Sequence, residues 1–327
     1  MGREALVTVV TPVYNGERYL AECIESVLAQ TYANWEYVIV NNCSTDLSAE
    51  VARRYAQKDS RIRVVDTERF LDVMGSQNTA FRQVGAASSY CKMVHADDWL
   101  FPDCLRQMVE LAEAHPSVGI VGSYRLDDVE VNCDGLPYPS TVVPGRQICR
   151  ATLLGGPHVF GTATTLLFRA DDVRRRDPFF DPTNFHADEA ACFEILRESD
   201  FGFVHQVLSF TRRHAETQTT FTEVMKTYLP KRLRHLQQYG PWYLESGEYG
   251  QRLKYEQEEY YRSLSNSLLQ GRRLDFWVYH RQQLKSLGYT LSWPRLIGGF
   301  ILEVRYALVR PIRALRMVAK VLGRRRR

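Results

Sequence analysis

The sequence lacks the features that mark several common protein classes. Its seven cysteines form no CxxC pair, and such scattered cysteines favour a reducing compartment over a disulfide framework. No window approaches 18 uninterrupted apolar residues, so we expect no transmembrane helix. Residues 1–20 lack the basic-then-apolar pattern of a secretory leader. These absences predict a globular protein of the cytoplasm.

Two common phosphate-binding signatures are also absent. No G-x-G-x-x-G follows the first predicted strand, which argues against dinucleotide-dependent oxidoreduction. No G-x-x-x-x-G-K-[ST] occurs either, which argues against a P-loop NTPase. The sequence therefore disfavours both of these nucleotide-binding classes.

Charge is distributed unevenly along the 327 residues. The formal net charge is +4, but the segment from Arg295 onward contains ten Lys and Arg residues and a single acid, Glu303. The rest of the chain is consequently mildly acidic, close to −5, while its end is strongly basic.

Residues 5–122 alternate between predicted strands and helices. Continuous β-branched runs are typical of strands covered on both faces, and apolar residues at helical spacing indicate the helices between them. The alternation predicts an α/β fold with an open, mostly parallel sheet and helices on both faces. The predicted strands are Ala5–Pro12, Trp35–Val40, Ile62–Val65, Tyr90–Val94 and Val118–Gly122. The predicted helices are Glu17–Gln30, Ser48–Lys58, one within Gly75–Ala87, and Pro102–His115.

Three polar turns follow the predicted strands, at Thr11–Asn15, Asn41–Asp46 and Asp97–Asp98. Open α/β sheets bind ligands beyond the carboxyl ends of their strands, so we expect these turns to form a nucleotide site. The adjacent carboxylates of Asp97 and Asp98 repel each other unless a cation or a donor lies between them. A divalent ion that also binds substrate phosphates would relieve the repulsion. A solvated turn capping the next helix is the alternative interpretation.

The later part of the chain is less regular. Asp127–Gly156 is rich in Pro, Gly and Asp and predicts irregular structure with an edge hairpin. Strands are predicted at Phe160–Phe168 and Phe201–Ser209, followed by the polar cluster Arg212-Arg213-His214. We predict an α/β domain at residues 1–221 and a helical region at residues 222–327.

Four segments together resemble one known family. They are VTVVTPVYNGERYLAECIESVLAQTY, WEYVIVNNCSTD, NTAFRQVGAASSYCKMVHADD and HADEA. In order and spacing they are similar to the family-2 inverting glycosyltransferases of GT-A fold, of the bacterial polysaccharide-biosynthesis type. The resemblance covers residues 5–215 and implies a UDP-, dTDP- or GDP-sugar donor, a Mn²⁺ or Mg²⁺ ion and an acceptor hydroxyl on a glycan or lipid-linked glycan.

The resemblance also assigns donor-side roles residue by residue. Asp98 matches the metal ligand, and Asp97 the residue that touches both ribose and metal. The ion would neutralise the leaving nucleoside diphosphate. The other positions that match donor-binding residues are Thr11, Pro12, Tyr14, Asn41, Asp46, Gln77 and His214.

Asp188 matches the family's catalytic base, which removes a proton from the acceptor hydroxyl. Glu189 is the adjacent alternative, although on a helix it would point about 100° away. An acid here also stabilises the amino-terminal end of a helix, and both roles can hold together.

Four positions depart from the family pattern. Asn41 and Asn42 stand where two acids are common, His95 stands where a third Asp is frequent, and Gln77 replaces a frequent Arg. These changes permit a non-catalytic nucleotide-sugar-binding or scaffold protein as an alternative. A sugar-nucleotide pyrophosphorylase is a further alternative, but Gly16 is the only glycine in the turn where that class needs a Gly-rich loop.

The basic end predicts an amphipathic helix over Leu296–Leu322, with apolar residues on one side and arginines on the other. Such a helix with Trp293 at its edge favours peripheral binding to an anionic membrane surface. A helix docked on the body or on a partner subunit is the alternative, and Pro311 threatens its continuity. Nucleic acid is disfavoured because no base-stacking aromatics alternate with the arginines.

Overall fold

The computed structural model describes residues 4–213, 218–268 and 270–309 of the chain. The chain divides into two compact units, Met1–His214 and Ala215–Arg327. The sequence prediction placed this division after residue 221.

The first unit is built on one mixed sheet whose main strand order is β3-β2-β1-β4-β9-β6-β10-β5, with β7 beside β6 and β8 beside β10. The strands are β1 (Val7–Val13), β2 (Trp35–Asn41), β3 (Ile62–Asp66), β4 (Tyr90–Met93), β5 (Trp99–Leu100), β6 (Val118–Asp127), β7 (Glu130–Asn132), β8 (Val142–Val143), β9 (Leu167–Arg169) and β10 (Asp200–Thr211). Its helices are α1 (Glu17–Leu28), α2 (Ser48–Lys58), α3 (Val73–Phe81), α4 (Cys104–Ala114), α5 (Gly145–Leu153), α6 (Ala170–Arg174) and α7 (Ala187–Ile195).

Strands β3, β2, β1 and β4 pair in parallel, as the strand–helix alternation predicts. The apolar stripe of α1 packs in one core cluster with Val7, Val9 and Val13 of β1. Because the return from β3 to β4 runs in the opposite direction across the sheet, right-handed crossovers put α3 on the other face. This arrangement brings the carboxyl ends of β1, β2 and β4 to one edge.

The other half of the sheet departs from the prediction. Strand β9 runs antiparallel to both β4 and β6. The strand predicted over Phe160–Phe168 is wrong for most of its length, because a 3-10 helix occupies Ala163–Thr165. The side chains of Thr162 and Thr165 form a capping box that starts this turn, so the chain becomes extended only at Leu167.

The second unit is helical, as predicted from composition. Its helices are α8 (Gln218–Met225), α9 (Tyr228–Tyr243), α10 (Ser246–Leu268), α11 (Leu274–Ser286) and α12 (Trp293–Val309). Within the described residues, none of the helices combines the length and the apolar character needed to cross a membrane.

Helix α12 packs on α10 through a face of small and apolar residues. Leu296 is fully buried and its carbonyl accepts a hydrogen bond from Ser265 Oγ at 2.9 Å. A Cβ on Gly299 would lie only 2.5 Å from Ser265 Oγ, so glycine permits this close approach. The helix begins at Trp293, three residues before the predicted start, and residues 310–322 of the predicted amphipathic helix lie outside the described part of the chain.

Candidate functional site

The acidic turn, defined here as His95–Asp98, connects β4 to β5. It is closed by a hydrogen bond from the Asp98 amide to the His95 carbonyl at 3.0 Å. The Asp98 side chain is buried against the end of β10, where the Arg212 amide donates to Oδ1 at 3.2 Å and the Thr211 hydroxyl donates to Oδ2 at 3.4 Å. Asp98 therefore has a fixed orientation rather than that of a solvated helix-capping acid.

His95 is the residue on which the predicted site converges. Its Nδ1 lies 3.6 Å from Asp98 Oδ2 and 3.2 Å from Thr164 Oγ1, and its Nε2 lies 3.2 Å from the amide nitrogen of Gln77. Burial lowers the pKa of His95, but the hydrogen bond and charge of Asp98, followed by the charges of Asp97 and Asp188, outweigh it and raise the pKa. The sequence singled out His95 only as a departure from the family pattern.

Arg212 is the main residue of the site that sequence reasoning left without a role. Its Nε donates to the Asp97 carbonyl at 3.2 Å, and its guanidinium pairs with Glu22 on α1. The same guanidinium lies 4.4 Å from the centre of the Tyr19 ring and 5.2 Å from that of Trp99, which favours a cation–π contact. Arg212 thus fixes the main chain of the acidic turn to α1.

An aromatic stack supports the same end of β10. Trp99 and Phe210, directly paired across β5 and β10, have ring centroids 3.8 Å apart and planes within 5° of parallel. The stack therefore holds Asp98 and Thr211 near each other, because Trp99 follows Asp98 in the chain and Phe210 precedes Thr211. The only sequence signal for this junction was the Arg212-Arg213-His214 cluster, and His214 lies outside the described residues.

At the end of β1 the predicted nucleotide-lining residues divide into buried and exposed ones. The Thr11 side chain is fully buried, and its hydroxyl donates to the Val94 carbonyl at 2.7 Å and lies 2.8 Å from the Tyr37 hydroxyl. The whole residue is 0% exposed, so Thr11 would support a nucleotide site through its buried hydrogen bonds rather than by contacting the ligand. Pro12 is partly exposed, whereas Tyr14 is 49% exposed and meets Phe70 edge-on with centroids 4.7 Å apart.

The turn after β2 uses its amides for internal hydrogen bonds. Asn41 Nδ2 donates to Asp66 Oδ1 at 2.7 Å, and its Oδ1 accepts from the Ser44 amide at 3.2 Å. Asn42 pairs with the main chain of Leu71 through both ends of its amide, at 2.8 and 2.9 Å. The two asparagines are 5% and 3% exposed, so they hold loops together at this edge.

Asp46, at the close of the same turn, binds main-chain amides. Its carboxylate accepts from the amides of Glu17 and Ser48, each at 3.0 Å. Burial raises the pKa of Asp46, but the hydrogen bonds from the Ser48 side chain and these amides outweigh it, so the pKa is lowered. Asp46 ties the start of α1 to the start of α2.

Asp188 lies in the first turn of α7 and is partly exposed. Its Oδ1 accepts from the Glu189 amide at 2.9 Å, the position of an acid that stabilises a helix start. The adjacent Glu189 is buried, with its Oε2 3.2 Å from His158 Nε2. The charge of Asp188 is among the causes that raise the pKa of His95.

Asp97 and Asp98 suit a hard divalent cation. The described residues contain no group of three or more His, Cys, Asp or Glu side chains arranged for a metal ion. A carboxylate offers about four lone-pair positions, so the hydrogen bonds from Thr211 and Arg212 leave acceptor capacity on the oxygens of Asp98. Two carboxylates completed by substrate phosphates are a common coordination for Mg²⁺.

The chain is similar to known proteins in this region. The sequence profile described as "Glycosyl transferase family 2" matches residues 8–175. Glycosyltransferase GlyA of Streptococcus pneumoniae is 33% identical over 118 residues, which cover 36% of this chain and 16% of GlyA. The chain spans 13% to 55% of the length of its first curated relatives.

Two solved structures share the fold. S. aureus TarS 1–349 in complex with UDP-GlcNAc has a TM-score of 0.63 at 16% identity, covering 86% of this chain and 80% of that one. The mannosyltransferase PcManGT of Pyrobaculum calidifontis, in complex with GDP-Man and Mn²⁺, has a TM-score of 0.56 at 16% identity, covering 97% and 84%.

Proposed function

Because the chain belongs to glycosyl transferase family 2 and has the predicted GT-A fold, we propose that it transfers a sugar from a nucleoside-diphosphate sugar to an acceptor hydroxyl. The observation that carries the proposal is the position of Asp98, which is buried at the end of β10, held there by the Thr211 hydroxyl and the Arg212 amide, and lies 3.6 Å from His95. A pair of carboxylates for the donor side and a third carboxylate for the acceptor side are the groups that such a transfer requires.

On the donor side, Asp98 and Asp97 would hold Mn²⁺ or Mg²⁺. The bound ion supplies charge neutralisation to the departing nucleoside diphosphate. Asp98 is kept in place by Thr211 and the Arg212 amide, and Asp97 by the contact of Arg212 with its carbonyl. The complex of PcManGT with GDP-Man and Mn²⁺ supports a metal-assisted reaction.

On the acceptor side, Asp188 would remove the proton of the attacking hydroxyl, and the sugar would be transferred with inversion. A general base must reach the proton it removes, and partial exposure leaves the Asp188 side chain accessible to an acceptor. Buried Glu189, held by His158, is less suited to that role.

The nucleotide end of the donor would lie along Tyr14 and Pro12, with Thr11 supporting the end of β1 through its buried hydrogen bonds. Asn41 and Asp46 would act there mainly by holding the loops, since their polar atoms already have partners. Gln77 would stand near the phosphates, and His214 is proposed to close over them. UDP, dTDP and GDP sugars are all candidate donors, and the UDP-GlcNAc and GDP-Man bound to the two structural neighbours support that range.

A donor panel tests this proposal. UDP-, dTDP- and GDP-sugars are each incubated with the full chain and Mn²⁺ or Mg²⁺, and nucleotide release is followed with and without excess chelator. We expect metal-dependent hydrolysis of one donor class. If none of these donors is bound or hydrolysed, the result contradicts the proposal and favours a scaffold protein.

We further propose that the protein works at the inner face of an anionic membrane, on a glycan or lipid-linked glycan acceptor. Trp293, Ile297 and Ile301 recur every four residues on the solvent side of α12, opposite the face that packs on α10, and are 56%, 53% and 49% exposed. Eight Lys and Arg residues follow Val309 in the sequence. An apolar stripe beside basic residues favours binding to anionic lipid.

Vesicle flotation tests the membrane proposal while leaving the buried face of α12 intact. Truncation after Val309 should reduce binding to vesicles containing phosphatidylglycerol, since each basic residue near such a surface contributes about 1 kcal/mol. Ile297→Gln with Ile301→Gln should make the remaining binding fully salt-sensitive, because screening acts on charges and not on inserted apolar groups. Val129→Gln with Leu47→Gln, two exposed apolar residues of the first unit, is the matched control. Full-length protein that ignores these vesicles at low salt would contradict the membrane proposal.

A further inference from the structure

The helical unit contains a cavity of its own, with a volume of about 350 Å³. Helices α9, α10 and α11 contribute its inner walls, and the segment from Gly288 to Arg295 contributes its mouth. All of its lining residues belong to the second unit, so the cavity is separate from the acidic turn. Its volume is that of a small-molecule site, for which about 300–1,000 Å³ is usual.

The inner walls are aromatic and apolar. Leu233, Leu284 and Tyr260 line the cavity and are each 1% exposed, and Tyr261 beside them is 8% exposed. The hydroxyls of both tyrosines are already engaged: that of Tyr260 lies 2.8 Å from His280 Nδ1, and that of Tyr261 donates to the Thr290 carbonyl at 2.9 Å. The rings therefore have fixed positions and offer their surfaces rather than their hydroxyls.

The outer wall is polar, and hydrogen bonds among its own side chains hold it in place. Tyr289 and Gln257 both line the cavity, and the Tyr289 hydroxyl accepts hydrogen bonds from the amides of Gln237 at 3.0 Å and Gln257 at 3.1 Å. Within the described part of the chain the Tyr289 hydroxyl proton has no acceptor, and Gln257 Oε1 has no donor. The wall thus offers both a donor and an acceptor.

Arg295 lines the mouth, with its guanidinium 5.5 Å from the centre of the Tyr261 ring. It is the one charged side chain among the described residues that line the cavity. Without an acid the cavity has no group to pair with a cationic ligand, and its polar wall would be left unpaired by a purely apolar ligand. Sugars have apolar ring faces that suit aromatic walls and hydroxyls that both donate and accept.

We propose that this cavity is a saccharide-binding site that takes one or two sugar units of a neutral glycan. The inference deepens the proposed function, on which it rests for the choice of a glycan as ligand. The tyrosine and leucine walls receive a face of the sugar ring, and Tyr289, Gln257 and Arg295 bind its hydroxyls. A site of this kind would bind the glycan independently of the donor.

Ligand-observed NMR on the full chain tests the site with glucose, N-acetylglucosamine, mannose and their disaccharides as probes, with UDP and Mg²⁺ present throughout. Tyr289→Phe keeps the ring and removes the hydroxyl, and Arg295→Gln removes the charge at the mouth. Each should weaken saccharide binding about three- to tenfold, the usual range for a lost hydrogen bond. The matched controls are Tyr255→Phe and Arg281→Gln, exposed residues of the same unit outside the cavity lining, and both should bind saccharide like the wild type.

Two measurements separate the possible failures. Tyr289→Phe leaves two glutamine amides without their acceptor, so its thermal midpoint is recorded, and the exposed Arg295→Gln provides an independent result if Tyr289→Phe is unstable. Saccharide binding that is absent from the wild type, equal in pocket and control variants, or displaced by inorganic phosphate would overturn the saccharide site. Donor hydrolysis is measured on the same variants and should be unchanged. A wild type that does not hydrolyse any donor would contradict the proposed transferase function, which is a separate result from the absence of saccharide binding.

Discussion

The turns after β2 and β4 lie at the same edge of the sheet but use their polar side chains differently. After β2, Asn41 donates a hydrogen bond to the Asp66 carboxylate, and Asn42 pairs with the main chain of Leu71. After β4, burial lowers the pKa of His95, but the hydrogen bond and charge of Asp98 and the charges of Asp97 and Asp188 raise it. Because an amide can satisfy a donor and an acceptor at once whereas a carboxylate only accepts, the first turn serves as a frame and the second concentrates charge.

The largest expected effect comes from replacing a carboxylate of the acidic turn with an amide, the group that Asn41 and Asn42 carry in the turn after β2, called here the amide turn. Asp98→Asn should lower transfer by more than about 10²-fold, because even outer-shell partners of a metal are worth about 10- to 100-fold. Asp97→Asn should also weaken donor binding. The measurement is nucleotide release at saturating Mn²⁺ or Mg²⁺, with Asp103→Asn, an exposed acid five residues after Asp98, as the control. Full wild-type transfer in excess chelator would contradict the metal role.

The next effect distinguishes the role of the Asp188 carboxylate from that of the acidic turn. Asp188→Asn should lower transfer by about 10²-fold or more, the usual scale for losing a general base, while donor affinity stays close to that of the wild type. Donor affinity is measured by titration with the unreactive nucleotide diphosphate, and Asp171→Asn, whose side chain is 82% exposed, is the control. A parallel collapse of donor affinity would make Asp188 structural or metal-linked.

A smaller effect should follow from loosening the anchor of the acidic turn. Arg212→Lys keeps the charge but loses the planar fork that reaches both the Asp97 carbonyl and Glu22. We expect the metal concentration for half-maximal activity to rise about tenfold, with kcat at saturating metal nearly restored. Arg106→Lys, an exposed ion-pairing arginine on α4, should leave both values unchanged. A fall in kcat that metal cannot rescue would assign Arg212 a direct role in the reaction.

The smallest effect comes from making the amide turn acidic. The hydrogen bond from Asn41 lowers the pKa of Asp66 below its ordinary 3.8, against burial and with the help of Arg53, so this stabilisation is present near neutral pH and lost on acidification. Asn41→Asp replaces the donor with a second carboxylate at a position 2.7 Å from Asp66. We expect a loss of about 1–3 kcal/mol at neutral pH, because the new carboxylate stands at a position that is 5% exposed and has no donor on Asp66 to pair with.

The pH dependence of the stability loss in Asn41→Asp distinguishes repulsion between the two carboxylates from a simple steric misfit. In Asn41→Asp the repulsion disappears once one carboxyl is protonated, so the stability difference from wild type should widen as the pH rises from about 3 to about 6. Urea unfolding across that range measures it, and the double variant Asn41→Asp/Asp66→Asn should regain stability by restoring an amide–carboxylate pair. A difference independent of pH would refute the explanation.

The parallel half of the sheet was predictable because its strands are continuous apolar runs. Strand β1 was predicted at Ala5–Pro12 and lies at Val7–Val13, and α1 was predicted at Glu17–Gln30 and ends at Leu28. The acidic turn was predictable for the same reason, since two acids after such a run must lie at the edge where the strands end.

The contacts that organise the site were not predictable, because they join distant parts of the chain. Arg212 and Glu22 are 190 residues apart, and Thr164 and His95 are 69 apart. The burial of the Thr11 hydroxyl was equally hidden, since a strand covered on both faces gives no polar alternation from which to infer direction. The 3-10 turn before β9 depends on the Thr162–Thr165 capping box, which an apolar-run criterion does not detect.

Strand β10 is irregular in a way that bears on how sequences of this kind can change in length. Its pairing with β6 shifts register between Val204 and Val207 and again between Val207 and Ser209, so extra residues separate Phe201 from Thr211. Those residues set the position at which the Thr211 hydroxyl and the Arg212 amide meet Asp98. A deletion of one residue there would move both donors along the strand, whereas a substitution would not. The bulged stretch therefore acts as a spacer, and its length constrains insertions and deletions more strongly than its composition constrains replacements.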